Sequence, residues 1–187
     1  MEKNQDQMKN ISTDRGNMLT GMFRDRESTE NAYNTLHERG YTKDDINLVM
    51  SDETRKTHFS GDVKETEIGT KAAEGAGKGS AIGGAVGAIA GVIAAIGTSL
   101  VIPGLGLIVA GPIAAGLAGA GAGGITGGII GALVGNGIPE ERARLYESGV
   151  KNGNIVMGVR PRNEDDAKYF EEKWRAHKGE EIYSGNV

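Results

Sequence analysis

Two short segments carry the residue types of a phosphate-binding loop. Residues 77–80 (GKGS) place a lysine and a serine among glycines, the combination with which a P-loop cradles phosphates. The full spacing G-x-x-x-x-G-K-[ST] fails, because Gly79 stands where the hydroxyl residue is needed and no strand-like segment precedes it. Residues 119–124 (GAGAGG) satisfy G-x-G-x-x-G, but they follow no strand and lie within a glycine-rich run, so the match is compositional. His37, His58 and His177 are scattered, and His37 and His177 fall at expected helix ends rather than at ligand spacing. The acid pairs Asp44–Asp45 and Asp165–Asp166 sit on turns or helix starts, where capping of backbone amides accounts for them. Trp174 shares a helical stripe with Ala167 and Phe170, the signature of core packing. No nucleophile, base and oxyanion donor come together. The expectation is therefore a protein that is not an enzyme, with no catalytic residue, metal site, cofactor or small-molecule substrate.

Composition narrows the partners. The chain has 187 residues, 21 basic and 25 acidic, and no cysteine. A net charge of -4 gives no basis for nucleic-acid binding. The absence of cysteine excludes a disulfide scaffold, thiolate chemistry and Cys-type metal centres. Charge is also sharply partitioned: residues 79–139 contain no Asp, Glu, Lys, Arg or His. Residues 1–16 read as a mobile polar tail, with neither the apolar core nor the cleavage site of a secretory signal.

The charged flanks predict regular elements. Residues 18–23 (MLTGMF) read as a strand, 27–39 as a helix with Ala32, Tyr33 and Leu36 on one face and Gly40 as its stop, and 46–50 (INLVM) as a second strand. Beyond the uncharged block, Pro139 opens a helix to about Gly149, with Glu140 and Glu141 in its first turn, where the helix dipole favours acids. Residues 155–159 (IVMGV) form a strand, Asn163 caps the helix that carries Ala167, Phe170 and Trp174, and 180–183 form the last strand. The order β-α-β, then β-α-β, predicts an α+β fold: a ferredoxin-like domain with an antiparallel sheet, split in two by the middle of the chain. Its halves are residues 17–51 and 138–184, with 52–68 as a polar linker. Each half is too small for a core, whereas roughly 90 residues together suffice. The two ends of the block must then lie close together.

Residues 69–137 predict a glycine-zipper helical hairpin. Glycines recur every fourth residue at Gly75, Gly79, Gly83, Gly87 and Gly91, and again at Gly119, Gly123, Gly127, Gly131 and Gly135. That spacing aligns them on one helix face and lets a second helix approach closely. Pro103, Gly104 and Pro112 interrupt the run and mark the hairpin turn. As helices, residues 80–100 and 112–135 would each extend roughly 30–36 Å, against a bilayer core of about 30 Å. Lys64, Lys71, Lys78, Arg142 and Arg144 flank the block and favour a cytoplasmic placement of both ends. Against a membrane stand the absence of aromatic residues between Phe59 and Tyr146 and the modest hydropathy of glycine. In water, 19 glycines between 79 and 139 would cost helices on the order of 10–20 kcal/mol relative to alanine.

The β-α-β start, the Gly/Ala-rich hairpin with its central IPGLG…AGP, and GIPEERARLYESGVKNGNIVMGVR over 137–160 resemble bacterial general stress proteins, of the heat-induced and low-temperature-induced kind, that carry a glycine-zipper insertion. The similarity runs from Met18 to Tyr183 and is most specific over 137–153. It implies a stress-linked bacterial protein without known enzymatic activity, and it carries over no ligand residue. The reading is a homo-oligomeric scaffold or membrane stabiliser, inserted in the inner membrane with both termini cytoplasmic. Its alternatives are a soluble cytoplasmic ring or filament with the hairpins as a shared core, and a ligand-sensing sheet face.

Overall fold

The computed structural model describes residues 18–59, 100–102, 106–114 and 128–185. The first flank forms β1 (Leu19–Phe23), α1 (Arg26–Glu38), β2 (Ile46–Ser51) and α2 (Asp52–Phe59). Within the uncharged block stand β3 (Leu100–Ile102), β4 (Leu107–Ala110) and α3 (Gly128–Gly135). The second flank forms α4 (Glu140–Lys151), β5 (Ile155–Val159), α5 (Glu164–Ala176) and β6 (Glu180–Ser184). The strands make one antiparallel sheet in the order β3-β4-β2-β5-β1-β6. The mixed α and β class expected from the flanks is therefore what the chain adopts.

Strong local signals hold these elements. Asp25 caps α1 by accepting from the Ser28 amide at 2.7 Å, and that bond holds its carboxyl below the usual range. Asn163 caps α5 through the Asp166 amide at 2.8 Å. The two halves meet across β5, which lies between strands of the first half, with Leu19 opposite Val159 on one side and Ile46 opposite the same residue on the other. Pairing between halves is thus at the centre of the sheet.

Alternation along the strands builds two cores. Leu19, Phe23, Ile46, Leu48, Met50, Ile155, Met157 and Val159 face α1 and α5, against Leu36, Phe170 and Trp174. Met18, Met22, Val49, Leu107, Val109 and Val156 face α3 and α4, against Ile129, Leu133, Tyr146 and Val150. The sheet is the middle of three layers.

Three expectations need correction. The polar linker starting at residue 52 is, over its first eight residues, α2, whose Phe59 is buried in the first core. The hairpin turn is not a simple helix break. Residues on either side of 103–105 pair as β3 and β4, with Ile102 opposite Leu107, and β4 docks on β2 with Leu48 opposite Ala110. Pro103 and Gly104 lie outside the described residues, while Pro112 begins a helical stretch described over 112–114. The segment 112–135 is not one helix, because Gly128 has a φ of 55°, a left-handed value that ends right-handed helical continuity at the start of α3. Among the described residues of the uncharged block, Leu107, Ile108, Val109, Ile113, Ile129, Leu133 and Ile138 are buried core.

Candidate functional site

The place where the glycine-rich insertion is fastened to the sheet is built around Asn47. This residue alternates onto the second face of β2, in a strand otherwise apolar up to Ser51, and is only 2% exposed. Its side-chain oxygen accepts from the Ile113 amide at 2.8 Å, satisfying one of the free N–H groups at the start of the helical stretch at 112–114. Its amide nitrogen donates to the Gly158 carbonyl at 3.4 Å. One buried side chain thus joins β2, β5 and the insertion. Gly111, just before, has a φ of 94° and presses its Cα side against the backbone of Ile46 and Asn47, so that a Cβ there would overlap the Ile46 carbonyl oxygen. At the other end of β4, the Gly106 carbonyl accepts from the Asp52 amide at 2.7 Å and ties the hairpin loop to the start of α2.

The second part is α3. Ile129, Ala132 and Leu133 point into the second core, while Gly131, Val134 and Gly135 are on its exposed side. A Cβ at Gly131 or Gly135 would meet nothing within 4 Å. Val134 and Leu145, at 42% and 44%, are the exposed large hydrophobic residues among those described. The last two rungs of the glycine ladder therefore face away from the domain. The other eight, from Gly75 to Gly127, lie outside the described residues.

Several buried polar groups elsewhere hold elements together. Tyr41 donates to Asp166 at 2.8 Å and accepts from the Arg162 amide at 2.7 Å; burial pushes its hydroxyl up to about 12. Arg39 adds an ion pair to Asp166 at 3.2 Å and stacks on Tyr169, while Arg162 stacks on Tyr41. Asp166 therefore does more than the capping expected of it. Asp45 completes a capping box with Thr42, as its position suggested. On the opposite face the Tyr146 hydroxyl, also raised to about 12 by burial, bonds Thr20 at 2.9 Å and the Glu181 carbonyl at 2.6 Å. A shallow polar cleft of about 360 Å³ between α2 and the end of α4 is lined by Glu53, Thr54, His58, Lys151 and Asn152. Thr54 spans it to the Gly153 carbonyl at 3.2 Å. Among the described residues no group of His, Asp or Glu side chains is arranged to hold a metal ion.

No family model, no curated protein and no solved structure matches this chain. The function has to be argued from the site itself.

Of the histidines, His37 is exposed near the end of α1, His177 is the C-cap of α5, and His58 lines the cleft. The two phosphate-loop look-alikes lie outside the described residues. The sheet face suggested for ligand sensing is covered, since helices close both sides. Asn47 and Gly111 were missed by sequence reasoning. A polar residue at a single position of an apolar strand was the available signal for Asn47.

The described ends also bear on the membrane. Among the described residues no helix is long and apolar enough to cross one. Phe59 is buried in the first core, while Leu100 belongs to the same sheet. Ala114 and Ile129 share the second core. Both described flanks of each intervening stretch belong to one folded unit, so any membrane crossings between them would be even in number. Two helical crossings need about 40 apolar residues. The uncharged stretches outside the described residues are 79–99, 103–105 and 115–127, of 21, 3 and 13 residues.

Proposed function

We propose that this chain is a non-catalytic, self-associating scaffold of the bacterial stress response, built as a split ferredoxin-like domain that holds a glycine-rich helix-packing insertion. The strand order β2-β5-β1-β6, with α1 and α5 on one face, supports the ferredoxin-like reading. The observation that carries the function is the exposed side of α3, where Gly131, Val134 and Gly135 are turned away from a domain that has already buried Ile129 and Leu133. Glycines presented outward at four-residue spacing allow close approach of another helix. The engagement of Tyr41, Asp166 and Tyr146 in structural bonds supports a role without catalysis. The stress link rests on the resemblance over 137–160 alone.

Sizing of the purified full chain without detergent tests the reading. A discrete oligomer that falls apart when Gly131 and Gly135 are replaced by Leu is the expected result. A monomer at every concentration would refute it.

A second reading is favoured by the 21 uncharged residues 79–99. They would lie in or re-enter a bilayer from its cytoplasmic face, without crossing, since their flanks return to one domain. Flotation with lipid vesicles tests this, and recovery of all protein in the lipid-free fraction would sink it.

A further inference from the structure

The chain contains two Asn–Gly pairs, Asn136–Gly137 and Asn152–Gly153. In such a pair the glycine amide nitrogen can attack the asparagine side-chain carbonyl carbon, since the glycine has no Cβ to obstruct the approach. The new N–Cγ bond forms, the Cγ–Nδ2 bond breaks, ammonia leaves, and a cyclic succinimide results. Water then opens the ring at either carbonyl to give aspartate or isoaspartate, with no oxidant or cofactor consumed. We propose that Asn152 is a site of this spontaneous deamidation, and that the fold withholds Asn136 from the same reaction.

The two pairs are alike in their main chain. Asn136 directly follows α3 and Asn152 directly follows α4. Both glycines are left-handed, Gly137 with a φ of 90° and Gly153 with 91°. Each glycine amide donates back into its helix, Gly137 to the Val134 carbonyl at 3.0 Å and Gly153 to the Val150 carbonyl at 3.1 Å. Attack at either position therefore begins with local opening of one such bond.

The side chains differ. Asn136 is half-buried and held at both ends of its amide: Nδ2 donates to the Ala132 carbonyl at 2.9 Å, and Oδ1 accepts from the Arg160 guanidinium at 3.1 Å. Ile138, two residues on, anchors the same turn in the second core. Asn152 is exposed, and among the described residues no hydrogen bond holds its side chain. It lines the open polar cleft beside Thr54 and His58, where water has access for the second step. Two side-chain bonds, one of them to a charged group, lower the reactive population at Asn136 by at least about tenfold.

The product bears on the sheet. Aspartate at 152 adds negative charge where the last carbonyls of α4 already point. Isoaspartate lengthens the main chain by a methylene just ahead of Gly153, whose carbonyl accepts from Thr54 at 3.2 Å, and of Asn154, whose amide donates to the Gly149 carbonyl at 2.9 Å. Ile155 then opens β5, so the altered turn leads straight into the central strand.

The test is peptide mapping of the full chain during incubation at mildly alkaline pH, folded and in urea. Trypsin leaves residues 79–142 as one peptide whose sole asparagine is Asn136, and fragmentation separates Asn152 from Asn154. In the folded chain, acid should accumulate at Asn152 at least about tenfold faster than at Asn136. In urea the two rates should agree within about threefold, since the fold no longer distinguishes them. Arg160→Met should speed conversion at Asn136 and leave Asn152 unchanged. Asn152→Gln should keep its urea midpoint through an incubation that lowers the parent's. Equal or faster conversion at Asn136 in the folded chain would overturn the proposal. So would the absence of product at Asn152 after about ten times its half-time in urea.

Discussion

Replacing Asn47 by alanine tests whether one buried amide fastens the insertion to the sheet. The change leaves the Ile113 amide, which now donates to Asn47 at 2.8 Å, without a partner in a buried setting. An orphaned buried donor costs about 1–3 kcal/mol. The bond to the Gly158 carbonyl, at 3.4 Å, is long and adds little, while the volume of the lost amide leaves a small void worth on the order of 1 kcal/mol. The total is about 2–4 kcal/mol, a large share of the ~5–15 kcal/mol that stabilises a typical domain. With a urea dependence of about 2 kcal/mol per molar, the midpoint should fall by about 1–2 M with the slope unchanged. Trp174 is fully buried on the opposite face of the sheet, so its fluorescence follows global unfolding and not the local site. Amide exchange supplies the local readout: protection at Ile113 and along Leu107–Ala110 should drop before that of β5. A midpoint within experimental error of the parent, with Ile113 still protected, would refute the assignment of Asn47 as the fastening.

Gly111→Ala should destabilise the same junction by more than about 2 kcal/mol, since the left-handed φ of 94° and the overlap with the Ile46 carbonyl act together; urea unfolding measures it. Asp25→Ala should cost about 1 kcal/mol and Asp25→Asn much less, because asparagine keeps the cap on Ser28. The folded-state pKa values of Tyr41 and Tyr146, about 12 against an ordinary 10.0, mean that the folded form holds their protons more tightly than the unfolded one. Their contribution is complete below pH 10 and lost as pH rises from 10 to 12, and Tyr146→Phe should flatten that alkaline decline in a denaturation series. Deleting 69–136 should abolish cooperative folding, since it removes Leu107, Val109, Ile129 and Leu133 from the second core at about 2–5 kcal/mol each on the scale of truncations to alanine. Replacing 62–97 by a flexible linker should leave the domain folded, as judged by amide dispersion.

Elements with a strong amphipathic period or a polar cap were legible in the sequence. Ala32, Tyr33 and Leu36 gave α1, and Asn163 with Ala167, Phe170 and Trp174 gave α5. The hidden elements have weak or conflicting signals. α2 buries only Thr54 and Phe59 out of eight residues, so no apolar stripe announces it. β3 and β4 are three and four residues long, and all four residues of β4 are buried, so no alternation betrays it. Their flanking glycines and prolines read equally as breaks in a helix and as the ends of strands. α3 shares its four-residue glycine period with the ladders, and what decided its fate was the apolar opposite side, Ile129 and Leu133, which a domain core and a bilayer would accept alike. The site residues Asn47 and Gly111 were illegible because their roles depend on contacts across 66 and 65 positions of chain, between Asn47 and Ile113 and between Ile46 and Gly111.

The central position of β5 also governs how this chain must be made. β1 pairs only with β5 and β6, the last two strands to leave the ribosome, and 136 residues separate Leu19 from Ile155. At about 5–20 residues per second, β1 waits on the order of 10 s for its first partner. β2 waits less, for β4, but that pair alone is an isolated hairpin and marginal in water. During that interval residues 79–99 carry no charge to keep them apart from copies on neighbouring ribosomes. Slowing translation after residue 99 should therefore lower the chain's soluble yield more than slowing it after residue 160.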